Sequence, residues 1–307
     1  MKRRDFIFKS IGAGLAAGIG MSSKTFGESL HSFAVPGTLP YDMVAIKGGE
    51  AEVMFEMAIA SLGGMKNFVK KNQTVVVKPN IGWDKSPEFA ANTNPKLVAK
   101  IIEHCYKAWA KTVYVFDNTC DNWQKCYANS GIEKAVKDAG GKIVTGNSES
   151  MYQHVAIGKG KRLKEAKVHE LILSSDVFIN VPVLKSHSGA TLSIAMKNLM
   201  GIVWDRGYWH KNDLQQCIAD FPTYRKPDLN IIDAYRVMKN NGPRGVSVED
   251  VLTMKAQIIS TDIVAADAAA AKMFGLDPAT IGHIVKAQEF GLGTMNLDKL
   301  KINRIKA

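Results

Sequence analysis

Cysteine is scarce. The chain has 307 residues and only four cysteines, Cys105, Cys120, Cys126 and Cys217. None forms a C-x-x-C pair and none has a histidine at zinc-finger spacing, so an iron–sulfur cluster and a zinc ribbon are not expected. Acidic side chains are outnumbered, 29 Asp and Glu against 40 Lys and Arg, for a formal charge of +11. That balance points to anionic partners. The basic residues are scattered, however, and no helix-turn-helix or RNA-binding motif accompanies them, so no nucleic acid is expected as a partner. Beyond the first thirty-odd residues, no run approaches the roughly 18 apolar residues of a membrane span. The motifs G-x-S-x-G, H-E-x-x-H, G-x-G-x-x-G and G-x-x-x-x-G-K-[ST] are absent, against serine hydrolases, zincins, dinucleotide enzymes and P-loop proteins. Internal repeats and low-complexity runs are lacking too. What remains is a globular composition, 46% hydrophobic and 22% charged, in a chain long enough to bury a sizeable core.

The N-terminus reads as an address. Lys2-Arg3-Arg4-Asp5-Phe6-Ile7-Phe8-Lys9 precedes a short apolar stretch, Ile11 to Met21, that carries Gly12, Gly14, Gly18 and Gly20. A basic start, a short apolar middle and a small-residue exit describe an export signal. The paired Arg3 and Arg4 with Phe6 and Ile7 behind them resemble the twin-arginine signal, with Lys2 where that signal usually has Ser or Thr. Ser32-Phe33-Ala34 offers a cleavage site, although a cut nearer Gly27 also fits. The expectation is a signal peptide over residues 1–34, recognised by the twin-arginine translocation machinery, and a periplasmic or otherwise exported body without a stable membrane anchor. The alternative is a basic amphipathic segment that stays attached. The remaining body is still basic.

Residues 35–307 read as a single α/β domain, because β-branched runs alternate with helical patterns. Strands are expected at Thr74–Val77, Thr112–Phe116, Lys142–Thr145, Val177–Val181, Leu229–Ile232, Gln257–Ser260 and Lys301–Ile305. Asn94-Pro95 opens a helix, with Asn as cap and Pro at the first helical position. Further helices are expected at Ile132–Ala139, Lys164–Leu173, Thr191–Met200, Asn212–Phe221, Ile263–Phe274 and from Asp277-Pro278 to Phe290. The alternation implies a mostly parallel sheet covered by helices on both faces. An irregular insertion is expected near residues 202–228.

Ligands of open parallel sheets bind beyond the carboxyl ends of the strands. At those ends stand Lys78 and Asn80, Asp117 and Asn118, Lys185 and His187, Asp233, and Asp262. Around them a family resemblance emerges. Asp176 to Gly201 presents a strand ending in Pro182, then Lys185-x-His187, then a helix with Lys197-Asn198-x-x-Gly201. With Lys78-Pro79-Asn80, Asp117, His210, Asp233, Gly242-Pro243, and Asp262 with Asp267, this resembles the signature of the family catalogued as domain of unknown function 362, over roughly residues 44–294. The resemblance implies a shared fold and site but names no activity. Some relatives carry an added iron–sulfur segment, which the cysteine inventory here does not match. The strand–Pro–Lys-x-His element alone is also similar to one in the lactate racemase family.

Lysines at a cleft pair with carboxylate or phosphate, and helix N-termini add to the field. Lys78, Asn80, Lys185, Lys197 and Asn198 are therefore the candidate substrate-binding residues. His187 and His210 are the candidate general acid/base residues, since imidazole titrates near neutrality. Lys185 and His187, read as a loop, face one ligand only if that loop curls. Asp117, Asp233 and Asp262 are candidate carboxylate ligands for a divalent metal, although Asp262 also suits a helix cap. His210 lies in an aromatic insertion that suits either a lid or a packing patch. Cys120 and Cys126 flank a short loop, open to a local disulfide or to two free thiols. The expected function is an exported enzyme acting on a small anionic ligand, with or without a metal. The competing expectations are a non-catalytic binding or redox-partner protein and a maturation factor for an exported metalloenzyme.

Overall fold

A computed structural model describes residues 39–307. The expected signal peptide lies outside the described residues. The chain runs β1 (Met43–Lys47), α1 (Ala51–Ser61), β2 (Thr74–Pro79), α2 (Pro95–Lys107), β3 (Thr112–Val115), α3 (Trp123–Asn129), α4 (Ile132–Asp138), β4 (Lys142–Ile143), β5 (Tyr152–Ala156), β6 (Glu165–His169), α5 (Glu170–Ser174), β7 (Val177–Val181), β8 (Val183–His187), β9 (Thr191–Ser193), α6 (Ala195–Asn198), α7 (Gly207–Lys211), α8 (Leu214–Asp220), β10 (Leu229–Met238), β11 (Val251–Ser260), α9 (Ile263–Phe274), α10 (Gly282–Glu289) and β12 (Ile302–Lys306).

The main sheet has the order β12-β1-β11-β10-β7-β2-β3-β4, with β8 beside β10 and β9 beside β8. Strands β10, β7, β2, β3 and β4 run parallel. Only β11 and β9 run against their neighbours. Strands β5 and β6 form a separate antiparallel pair. The α/β class and the mostly parallel sheet agree with the sequence reading.

Strand periodicity divides the apolar residues between two cores. Val75 and Val77, Ile179 and Ile231 face a cluster with Phe55, Leu97, Ile101 and Tyr127 from α1 to α3. Val76, Phe178 and Ile232 face the other cluster, with Met196, Trp209, Ile218 and Ala268 from α6 to α9. Each fully buried side chain of this kind contributes roughly 1.5–3 kcal/mol of hydrophobic free energy. Helices therefore cover both faces. Among the described residues, no helix is long and apolar enough to cross a membrane.

Local readings failed where pairing overrode propensity. Lys164–Leu173, expected as one helix, is strand β6 followed by the short α5, because Glu165–His169 pairs with Tyr152–Ala156. Cross-strand partners outweigh the helix preference of Lys-Glu-Ala. The expected helix at Thr191–Met200 begins as strand β9, which hydrogen-bonds to β8 through Lys185↔Ser193. The helical part is only α6 and a 3-10 turn to Ile202. The expected loop after Pro182 is strand β8. In the segment near 202–228, α8 stands where a helix was expected at Asn212–Phe221, and the rest, expected as irregular chain, holds the further short helix α7. Strand β1 and helix α1 were not anticipated from the sequence.

Candidate active site

Lys78 occupies an even position of β2, so its side chain points to the face of Val76 rather than that of Val77. It is 1% exposed. The neighbouring parallel strand places Asn180 beside it, and the next places Asn230 beside Asn180. A buried polar row thus crosses the middle of the sheet. Asn180 Nδ2 donates to Asn230 Oδ1 at 3.1 Å, and Asn198 Nδ2 donates to Asn180 Oδ1 at 2.9 Å. Lys78 Nζ donates to the carbonyl O and Oδ1 of Asn198, both at 2.7 Å, and lies 3.0 Å from Asp117 Oδ1. Asp117 Oδ2 accepts from the Ile81 amide at 2.7 Å. Burial pushes the Lys78 ammonium down and the Asp117 carboxyl up, and their mutual attraction opposes both shifts. All three Lys78 donors are used, so this lysine ties strand ends together. It is not a free cation for a ligand.

The chain around this pair is shaped to admit it. A Cβ on Gly201 would stand 1.9 Å from Asp117 Oδ1 and 2.5 Å from Lys78 Nζ. The Gly201 carbonyl in turn accepts from the Asn118 amide at 3.0 Å. Helix α6, which carries Lys197 and Asn198, is anchored at its start by Asp267 in α9. That carboxylate accepts from the amides of Ala195 at 2.6 Å and Met196 at 3.1 Å.

Above the pair lies a cleft of about 540 Å³. Eight of the ten residues singled out from the sequence line it: Lys78, Asn80, Asp117, Lys185, His187, Lys197, Asn198 and His210. Lys78 and His187, distant along the chain, thus share one rim. Lys185 and His187 alternate with Ser186 on β8, so the strand itself turns both to the same face and no curled loop is needed. Lys185 Nζ donates to Asn80 Oδ1 at 3.0 Å and to the Ala91 carbonyl. Asn80 also donates to Asn198 Oδ1 at 3.1 Å, so the two asparagines brace the lysines to each other. Lys197 is half-buried and has no hydrogen-bond or ion-pair partner among the described residues.

The electrostatics follow from burial. Desolvation pushes Lys185 down to about 7, with Lys197 adding to the fall, and Lys197 down to about 8, with Arg206 and Lys78 adding to it. His187 departs from its expected role. Its Nδ1 accepts from the amides of Gly189 at 3.0 Å and Ala190 at 3.1 Å, which places the proton on Nε2. Burial and nearby Lys197 and Lys185 hold it down at about 3. With Nδ1 occupied by two amides, the ring presents an Nε2–H donor to the cleft. His210 is exposed at the rim, its ring 6.5 Å from that of His187, and burial with Lys197 lowers its pKa.

Two candidate carboxylates lie elsewhere. Asp233 is buried and accepts from the Asn94 amide at 2.7 Å and the Tyr235 amide at 3.0 Å, fastening the entry to α2. Asp262 caps α9 through Val264 and Ala265 and also accepts from the Thr294 amide. With Asp117 paired to Lys78, the expected trio of metal-ligating carboxylates is not brought together. Among the described residues, no group of three His, Cys, Asp or Glu side chains is placed to hold a metal ion.

The sequence reading missed Arg206. Its guanidinium donates to the carbonyls of Asn118 at 2.8 Å and Thr119 at 2.7 Å, and to Cys120 Sγ at 3.4 Å. Among the described residues it has no carboxylate partner, and it lines the cleft. Its only sequence signal was its place in the aromatic insertion. Asn180 and Asn230 were missed too, although an Asn inside an apolar strand is a visible anomaly. All four cysteines are free thiols, with Cys120 exposed and Cys126 buried.

Comparison with known proteins gives the site a setting. The profile of the family described as Domain of unknown function (DUF362) matches residues 75–272. The thylakoid-associated protein sll1697 of Synechocystis sp. is 29% identical over 247 residues, which cover 75% of this chain and 72% of that protein. Two solved structures are similar at low identity. The lactate racemase apoprotein from Thermoanaerobacterium thermosaccharolyticum is 12% identical with a TM-score of 0.46, covering 75% of this chain and 56% of that one. A structural-genomics protein from Thermotoga maritima is 10% identical with a TM-score of 0.46, covering 73% of this chain and 59% of that one.

The Gly201 contact is directly testable. Gly201→Ala places a methyl group against the Lys78 and Asp117 side chains, which must give up their contacts to make room. The substitution is expected to lower stability by about 1–3 kcal/mol, the usual cost of overpacking, read as a drop in the urea midpoint. An unchanged midpoint would mean that the pair is not held as described.

Proposed function

This chain belongs to the DUF362 family, and we propose that it is an enzyme acting on a small anionic ligand, carboxylate or phosphate, held in the cleft between β2, β8 and α6. The observation that carries this reading is the state of the cleft lysines. Lys197 faces the cleft without a protein partner, and Arg206 beside it has only carbonyl and thiol partners. An anion supplies the missing counter-charge. Lys197 and Arg206 bind the anionic group, and His187 Nε2–H donates a neutral hydrogen bond to it. Lys185, brought to about 7 by burial, is present both as an amine and as an ammonium at neutral pH. It is the acid/base group, with its remaining valence directed at the ligand while Asn80 and Ala91 hold the other two. His210 at the rim is a second proton carrier, open to solvent.

A protein that only binds anions gains from keeping its lysines charged. Burial that brings Lys185 to about 7 supplies a base at neutral pH, while Lys197, at about 8, stays mostly charged to hold the anion. That contrast favours an enzyme over a passive binding protein. Asp117 is paired to Lys78, and Asp233 and Asp262 hold backbone amides away from the cleft, so this reading uses no metal.

The site of action is proposed to lie outside the cytoplasm, after export on the twin-arginine-like leader of residues 1–34. Replacing Arg3 and Arg4 together by lysine is expected to leave the full-length protein in the cytoplasmic fraction. Unchanged fractionation would overturn the export proposal.

Binding is tested by calorimetry with inorganic phosphate and with acetate. At least one is expected to bind saturably, and Lys197→Ala to weaken it by about tenfold or more. The pH dependence has a definite sign. Lys185 and Lys197 lose their protons as pH rises through about 7 and about 8, while acetate keeps its charge. Acetate affinity should therefore fall between about pH 6 and about pH 9, and a flat profile would contradict the assignment.

The enzyme reading rests on Lys185 as a base. NMR titration of protein carrying ¹³C-labelled lysine is expected to show one resonance, lost in Lys185→Met, with a midpoint near 7 rather than near the usual lysine value of about 10.4. A midpoint at the usual value would leave only anion binding.

A further inference from the structure

A second pocket of about 500 Å³ adjoins the cleft, and Trp204 and Asp205 line both. It lies between the β5–β6 pair and the segment that carries α7. The backbone fixes this arrangement: the Trp204 amide donates to the Lys167 carbonyl at 2.9 Å, and Val203 bridges to Val168. Helix α7 serves both spaces, with His210 in the cleft and Tyr208 and Trp209 in the second pocket. The Trp204 indole is half-buried and lies 5.4 Å from the Tyr152 ring, while Tyr208 is 41% exposed.

The two spaces differ in charge. In the cleft, Lys197 is unpaired and Arg206 has no carboxylate partner. In the second pocket charged side chains of both signs stand together, and each touches a partner on the protein. Lys167 pairs with Glu149, and His154 with Glu165 at 3.0 Å. Lys164 Nζ donates to the Gly160 carbonyl at 2.7 Å, and Asp205 Oδ1 accepts from the Tyr208 amide at 3.2 Å. Beneath them the floor is apolar, with Leu163, Val203 and Trp209 buried. A site that mixes charges of both signs over an apolar floor, with aromatic walls, favours an uncharged group over an anion, and flat aromatic faces favour a flat one.

We infer that the ligand of this protein is a two-part molecule, with its anionic group in the cleft and an uncharged planar ring in the second pocket against Trp204 and Tyr208. The inference rests on the anion-binding reading above and adds the class of the rest of the ligand. The carboxyl and phosphoryl versions share this chemistry and are separated by the choice of probe.

The test compares each parent anion with a ring-bearing relative by calorimetry, 1-naphthyl phosphate against inorganic phosphate and 1-naphthylacetate against acetate. The ring is expected to tighten binding by about tenfold or more in at least one pair, the scale of an aromatic contact with buried area. Tyr208→Ala should remove most of that gain and leave the parent anion's affinity unchanged, because Tyr208 does not line the cleft. Trp204→Leu should also reduce the gain, and it keeps an apolar side chain at a position packed on Tyr152. A ring-bearing ligand that binds no better than its parent, or a gain that survives both substitutions, overturns the two-part ligand while leaving the anion site standing. Failure of both parent anions to bind overturns the anion site, and the two-part ligand with it.

Discussion

The site is organised around one buried ammonium. Lys78 has lost its water and replaced it with one carboxylate and two oxygens of a single asparagine. Breaking such a pair from one side is costly, on the order of 3–5 kcal/mol, because the remaining charge stays buried. The geometry is therefore held to a narrow range. Lys78 is on β2, Asp117 follows β3, and Asn198 ends α6. Three segments that are remote along the chain must meet at one point for the charge to be satisfied, and Gly201 must lack a side chain for them to do so.

The same constraint divides the labour among the lysines. Lys78 spends its three donors on the protein. Lys185 spends two, and Lys197 none. In the proposed site, their distance from saturation sets what each would offer a ligand: scaffold, adjustable proton, free cation. Desolvation by burial lowers Lys185 and Lys197, and neighbouring cations add to the fall. His187 completes the pattern from the other direction. Two backbone amides at its Nδ1 fix the tautomer, so in the proposed site it serves as a directional hydrogen-bond donor.

Much of this was legible before the fold was known. The apolar runs of β2, β3, β7 and β10 and the Asn-Pro start of α2 marked a parallel α/β sheet, because burial on both faces leaves continuous apolar strands. The rule that ligands gather at strand ends then selected Lys78, Asn80, Asp117, Lys185 and His187. It also selected Asp233 and Asp262, since carboxylates that hold backbone amides stand at strand ends too. Only hydrogen-bond partners separate the two uses: the amides of Asn94 and Tyr235 for Asp233, amides of α9 and Thr294 for Asp262. Arg206 left almost no trace, because its position depends on how the 202–213 segment folds back over the sheet.

By itself, the amino-acid order determined the class of fold, the basic balance of the body and the set of polar residues at strand ends. These depend on local periodicity and composition, which the chain carries everywhere along its length. The tertiary structure alone decided which of those residues converge, which lysine is saturated and which is free, and which face of β8 holds Lys185 and His187 together. Those outcomes depend on strand register and on desolvation, and both arise only when distant segments exclude water from a common space.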